Sequence, residues 1–218
     1  MTNILKLTAQ IYTVLFIFSA CVATVPAVKQ EVKPKPKIGV MSLDGAIESE
    51  TVDDWNRELE GLSNQNDIVI IKINSMGGEV EAGFKFIQKM ETTPAIKVCV
   101  VDRYAMSMAF VILEACDHKI MTRRSMLMFH KPYIPGQTEL SRDQKEFLRV
   151  LIINLVIETS RTMKVSGPYI REKINQGDWF MDWQEALDIG AVDRIVWRVQ
   201  EVLDNPILGD SDWAVSSP

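Results

Sequence analysis

Only three cysteines, Cys21, Cys99 and Cys116, occur in 218 residues. None of their spacings is that of a paired zinc ligand, and so few cannot make a disulfide framework. Cys99 and Cys116 read as small core residues. Histidine is scarcer still, with His118 and His130 the only two, so a reaction that needs an imidazole base at neutral pH has two candidates. Neither a G-x-G-x-x-G turn nor a glycine loop ending in Gly-Lys is present, which removes the usual dinucleotide and phosphate fingerprints. There is no internal repeat. The net charge is −5, and the only basic concentration is a short Lys/Pro stretch, which argues against nucleic acid as the main partner. What remains is a chain of single-domain length with 47% hydrophobic and 24% charged residues, enough to bury a sizeable core.

The first 27 residues, MTNILKLTAQIYTVLFIFSACVATVPA, hold one lysine and no acid, with an apolar run from Ile11 to Ala20. That is the layout of a secretory signal. FSAC also resembles a bacterial lipoprotein cleavage box, with Cys21 as the acylated residue. The apolar character persists to Val28, about the length of one membrane span, so a retained anchor is a third reading. Lys29, Lys33, Lys35 and Lys37 follow, and for a retained anchor the positive-inside rule keeps the domain in the cytoplasm. The expectation is an exported domain, periplasmic or membrane-anchored in a bacterium, with a cytoplasmic domain as the alternative.

Residues 28–37, VKQEVKPKPK, form a solvated, extended linker. IGVMSL reads as a strand and DGAIES as a turn. Val52, Trp55, Leu59 and Leu62 recur at helical spacing. DIVIIKIN is a nearly continuous β-branched run, as suits a strand covered on both faces of a parallel sheet. A helix follows with Val80, Phe84, Ile87 and Met90 on one face, then the strand IKVCVV and a helix beginning near Ser107. The alternation predicts an α/β fold with right-handed crossovers. KIMT and SMLMFH are short strands. A long helix is predicted over 140–163, with Phe147, Leu151 and Leu155 on its apolar face, and a short one over 166–176. Asp182 and Glu185 form a candidate capping box, Gly190 a helix stop, and AVDRIVW a last strand. Residues 199–218 are expected to be a flexible tail, leaving 38–198 as the folded domain.

Three places carry candidate chemistry. His118, in CDHKI, reads as a solvated surface histidine. His130 ends an apolar strand and opens into a loop, where α/β proteins often place functional side chains. NSMGG follows a strand, and its paired glycines let backbone N–H groups approach a ligand.

Taken together and in chain order, INSMGGEVEAG, YAMSMAF, MLMFHKP, GQTEL with its long helix, and GDWFMDWQEALDIGAVDRIV resemble the Clp protease proteolytic subunit family, ClpP, of the ClpP/crotonase superfamily. The resemblance covers roughly Ile38 to Val196. It implies the ClpP/crotonase fold of repeated ββα units with a long protruding helix. It also implies a serine endopeptidase with Ser107 as nucleophile, His130 as base and Asp178 as the acid orienting the histidine. Gly78 and Met108 would supply the oxyanion-hole N–H groups, and no metal or other cofactor is implied. Peptides or unfolded proteins would be substrates, and the protomer would assemble as a heptameric ring, with stacking of two rings less secure.

Several positions depart from the family pattern. Met76 stands for a proline, Ala109 for a glycine and Lys131 for a glutamine, and YIPGQTEL replaces a longer glycine-rich stretch. The axial loop that meets the family's ATPase is not recognisable, so a Clp ATPase partner is not expected. Two other readings stand beside this one. The first is a catalytically silent, membrane-associated scaffold with the same fold. The second is an acyl-CoA enzyme of the crotonase branch, weakened because that branch needs no Ser/His/Asp set.

Overall fold

A computed structural model describes residues 35–205. The segment 1–27 with Cys21, most of the Lys/Pro linker and the end of the tail lie outside the described residues. Among the described residues, 36–205 belong to one unit. Its spine is a sheet in the order β1 (Ile38–Ile47), β2 (Ile68–Gly78), β3 (Ile96–Met106), β4 (His118–Thr122), β7 (Arg194–Val196), with every neighbouring pair parallel. Parallel neighbours need crossovers, and helices provide the first three: α1 (Ser49–Ser63), α2 (Val80–Thr92) and α3 (Met108–Glu114). The α/β fold expected from the alternation is the one observed.

The β-branched run of β2 is buried on both faces, and alternation divides it between two clusters. Val69, Ile71 and Ile73 join the larger core with Val52, Trp55 and Leu59 of α1, Phe86 and Met90 of α2, and most of α3. Ile68 and Ile70 join Val98, Val100, Ile120 and Val202 on the opposite face. Val202 belongs to a short helix, α7 (Val199–Asp204). The expectation of a flexible tail from residue 199 is therefore corrected at its start, because burying Val202 holds this turn against the sheet.

β3 is longer than its sequence pattern suggested and changes partner along its length. Val98–Val101 pair with β4, whereas Tyr104–Met106 pair with β5 (Met126–Phe129). Hydroxyls satisfy the backbone where the chain steps from β4 to β5. Ser125 Oγ donates to the Val101 carbonyl at 2.8 Å, and Thr122 Oγ1 donates to that of Asp102 at 3.2 Å. The long helix is α4 (Arg142–Ser160), opened by a capping box between Ser141 and Gln144. Its expected apolar face is only partly covered: Leu155 is buried, but Phe147 is exposed. The chain continues through α5 (Gly167–Gln176), β6 (Trp179–Met181), which the sequence reading missed, and α6 (Trp183–Asp188). Asp182 caps α6 as expected, accepting from the Gln184 and Glu185 N–H groups. Gly190 follows with φ +72°, the left-handed conformation of a helix stop.

Two ties hold the far end of α3. Cys99 on β3 and Cys116 just beyond α3 form a disulfide, their Cα atoms 6.0 Å apart. This corrects the reading of both as plain core residues: spacing cannot show that a β–α crossover returns Cys116 over β3. Closing a loop of this size stabilises a fold by about 3 kcal/mol. The second tie is an ion pair. Lys119 Nζ lies 2.7 Å from Glu114 Oε2 and 2.9 Å from the Gly190 carbonyl, and Thr162 Oγ1 donates to the same Glu114 oxygen at 2.6 Å. Burial pushes the Glu114 carboxyl from 4.5 up to about 7, against the opposing pull of Lys119 and Thr162. A carboxyl with a raised folded pKa contributes stability that is present below its unfolded value and lost as pH rises towards 7. Removing the ammonium raises that pKa further. Lys119→Met is therefore expected to cost about 3–5 kcal/mol at pH 8, the loss for an uncompensated buried charge. At pH 5, where Glu114 can protonate, the loss shrinks. Urea unfolding at the two pH values checks this, and an equal loss at both would show that Glu114 does not carry the effect.

Candidate active site

The C-terminal ends of β2, β3 and β5 lie side by side and open into a cleft of about 760 Å³. Ser107 lines it, where β3 turns into α3. It has φ 54° and ψ −122°, and among the described residues it is the one non-glycine with positive φ. A serine at a helix start ordinarily has extended backbone and spends its hydroxyl on the helix N–H groups. Ser107 makes no such cap bond. Its conformation, costly for a residue with a Cβ, turns the hydroxyl to His130 instead. The Ser107 Oγ–His130 Nε2 distance is 2.8 Å. The Ser107 N–H donates to the Met128 carbonyl at 2.8 Å, which ties the corner to the strand that delivers His130.

His130 follows β5 and Asp178 precedes β6. These strands pair antiparallel with Phe129 opposite Trp179, so the next residues outward, His130 and Asp178, meet beyond the ladder. His130 Nδ1 and Asp178 Oδ1 are 4.0 Å apart, longer than a hydrogen bond, with the Asp178 side chain 58% exposed and that of His130 17%. Trp179 is fixed by Glu185, whose Oε1 accepts from Trp179 Nε1 at 2.9 Å and from Lys173 Nζ at 3.2 Å. Glu185 thus anchors β6 rather than completing the capping box that its position suggested, and its bond holds the Lys173 ammonium above its ordinary pKa.

The glycine turn forms the other wall. Gly77 has φ +96°, and a Cβ there would meet the Met106 carbonyl oxygen and Ser107 Cβ, each at 2.7 Å. At Gly78 a Cβ would strike the Ile47 carbonyl, so β1 seats the turn. Gly78 and Met108 both line the cleft with Ser107, as do the buried Val111 and Leu155. Lys131 is exposed and is not among the lining residues. His118 sits at the start of β4, opposite Val98, at the far end of the strands from Ser107. It is half-buried rather than fully solvated. Cleft residues that sequence reasoning left without a site role include Tyr133, whose ring centroid lies 5.8 Å from that of His130, and the exposed Glu48 and Glu79.

The family model of the Clp protease matches residues 36–199. The chain belongs to the Clp protease family. Over 150 residues it is 28% identical to the ATP-dependent Clp protease proteolytic subunit 1 of Chlamydia abortus, an alignment covering 65% of this chain and 76% of that one. The protein of the same name from Chlamydia pneumoniae is 29% identical over 143 residues, 62% and 73% of the two chains. That from Protochlamydia amoebophila is 28% identical over 142 residues, 62% and 68%. The domain is thus a ClpP-like protease domain in family and fold.

The packing of Gly77 against Ser107 gives a direct test. In Gly77→Ala the added methyl must displace the Ser107 corner. Fluorophosphonate labelling should slow by about 100-fold or more, as for an ångström-scale misplacement of a reacting group, with unchanged far-ultraviolet circular dichroism. Labelling at the wild-type rate would show that the corner does not need this glycine.

Proposed function

We propose that the chain is a serine endopeptidase that cleaves peptide bonds with Ser107, His130 and Asp178. The observation that carries this reading is the 2.8 Å approach of Ser107 Oγ to His130 Nε2 across a strained strand-to-helix corner. His130 Nε2 takes the hydroxyl proton as Ser107 Oγ attacks the scissile carbonyl, then passes it to the leaving amine. Water, activated by the same nitrogen, releases the acyl group. The N–H groups of Gly78 and Met108 stabilise the oxyanion. Met108 opens α3, where backbone N–H groups have no helical acceptor. Asp178 fixes the imidazole tautomer and stabilises its charged form. At 4.0 Å it must approach by about 1 Å to bond, a tightening common when substrate binds, and Gly177 just before it, at φ +140°, suits such an adjustment.

Ser107→Ala should abolish fluorophosphonate labelling and reduce peptide hydrolysis by about 10⁴-fold or more. His130→Gln should do the same, while His118→Gln, at the far end of the sheet, should retain activity. Labelling that survives Ser107→Ala would end the peptidase reading in favour of a silent scaffold.

The reading extends to assembly and location. Ring formation is the family's habit, and this protomer leaves apolar surface suited to it: Phe147, Val150 and Ile157 on α4, and Tyr104, Met126 and Phe180 on β3, β5 and β6, are exposed. We take a homo-oligomer, a heptameric ring by resemblance, as the working state. It acts on peptides or flexible segments without an ATPase. The domain is exported, with residues 1–27 as cleaved signal or lipid-bearing anchor at Cys21. A disulfide within the domain supports export, since cytosolic proteins rarely keep one. Among the described residues no helix is long and apolar enough to cross a membrane; the apolar N-terminal run lies outside them. Mass spectrometry of protein from its native membrane and soluble fractions should find a processed or lipidated N-terminus, no free thiol at Cys99 or Cys116, and a ring mass under native conditions. An intact Met1 on a reduced cytoplasmic monomer would refute export and assembly together. Strong stimulation of peptide cleavage by a Clp ATPase with ATP would refute the independence.

A further inference from the structure

The sheet order flanks the nucleophile with two large side chains that pack on little else. Met76 lies at the end of β2 and Tyr133 in the loop after β5, and β3, which delivers Ser107, runs between those strands. Both residues line the cleft. Met76 is 63% exposed and Tyr133 69%, values that leave most of each apolar side chain in water. Neither can readily retreat. On β2 the neighbours of Met76 are buried, Ser75 at 2%, and the Ser75 hydroxyl accepts the Gly77 N–H at 3.1 Å, so strand alternation holds Met76 outward. Tyr133 leans by its ring on His130 and stands between Pro132 and Pro135, which line the same cleft and restrict the backbone.

We propose that Met76 and Tyr133 are specificity-determining residues, the two jaws of an apolar clamp that grips one large apolar side chain of the peptide substrate. The inference rests on the peptidase reading of the cleft. Exposed apolar area beside a reactive serine gains free energy only when a ligand covers it. The chemistry of the pair defines that ligand. A thioether is adaptable and favours the edge of an aromatic ring, and a phenol ring offers a rigid flat face. Phenylalanine, tyrosine or leucine fits between them, while a charged or small side chain leaves both jaws in water. Met76 and Tyr133 reach the cleft from the end of β2 and from the loop after β5, whereas Val111 and Leu155, which also line it, are buried.

The test separates binding from chemistry. The full chain carrying Ser107→Ala is titrated with fluorescein-labelled peptides that hold a fixed leucine and one phenylalanine moved along an otherwise Gly/Ser sequence. At one position phenylalanine should tighten binding by about tenfold over the Gly/Ser reference, the scale of discrimination an apolar subsite supplies. Adding Met76→Ser and Tyr133→Ser should reduce that gain to less than about twofold, and Met76→Leu with Tyr133→Phe should restore it. Both positions are exposed, so the substitutions leave the core intact. No gain at any position, or a gain that survives the serine pair, overturns the clamp. Fluorophosphonate labelling of the chain with Ser107 intact reads the peptidase assignment separately. Failed labelling with a Met76- and Tyr133-dependent gain rejects the peptidase and keeps the clamp. Normal labelling without that gain does the reverse.

Discussion

The site depends on one strained backbone position. Ser107 holds a conformation that costs a residue with a Cβ about 1–3 kcal/mol, and the surrounding structure must supply that energy. Its N–H is tied to Met128, Gly77 packs against it without a side chain, and both ends of the β3–α3 unit are anchored. The disulfide joins the start of the unit to its finish, and the Glu114–Lys119–Thr162 cluster fixes the end of α3 to β4 and to the turn after α4. An α3 free to slide would let Ser107 relax into an ordinary helix cap, with its hydroxyl turned to the helix and away from His130.

The partner change along β3 is the second organising feature. Because β4 stops at Thr122 and β5 takes over at Met126, the C-terminal end of β3 is paired by the strand that leads to His130. The step between β4 and β5 would strand two carbonyls of β3, and Ser125 and Thr122 satisfy them with side-chain hydroxyls. β5 then becomes the template for β6, whose antiparallel register brings Asp178 to His130. This is the looser half of the site. The serine–histidine contact is set by strands paired along the sheet, whereas Asp178 hangs from a three-residue edge strand preceded by glycine.

Chain-specific features gather around a family-like centre. Ser107, His130 and the glycine turn lie together in the cleft, while Met76 and the loop bearing Tyr133, where the sequence departs from the family pattern, line it as well. The same separation holds for the rest of the surface. The larger core is continuous across the helices on one face of the sheet, but α4, β5 and β6 leave apolar side chains exposed. One protomer does not cover them.

Local pattern by itself determined the alternating elements and the two-sided burial of β2, because side-chain period and β-branching act within a few residues. It also set the Asp182 cap and the Gly190 stop. Ser107, His130 and Asp178 could be singled out only as a set in chain order, through resemblance, since each alone is an ordinary residue at the end of an element. Tertiary structure decided the rest. The Cys99–Cys116 bond, the role of Glu185 as an anchor for Trp179, the placement of Tyr133 beside His130, and α7 against the sheet all join residues whose partners lie elsewhere in the chain. Their meaning depends on which strand lies beside which. β6 is too short to show a period, and the extra length of β3 came from pairing with β5. Hydrogen bonds to a neighbouring strand, supplied only by the assembled sheet, extended it up to the corner where Ser107 turns.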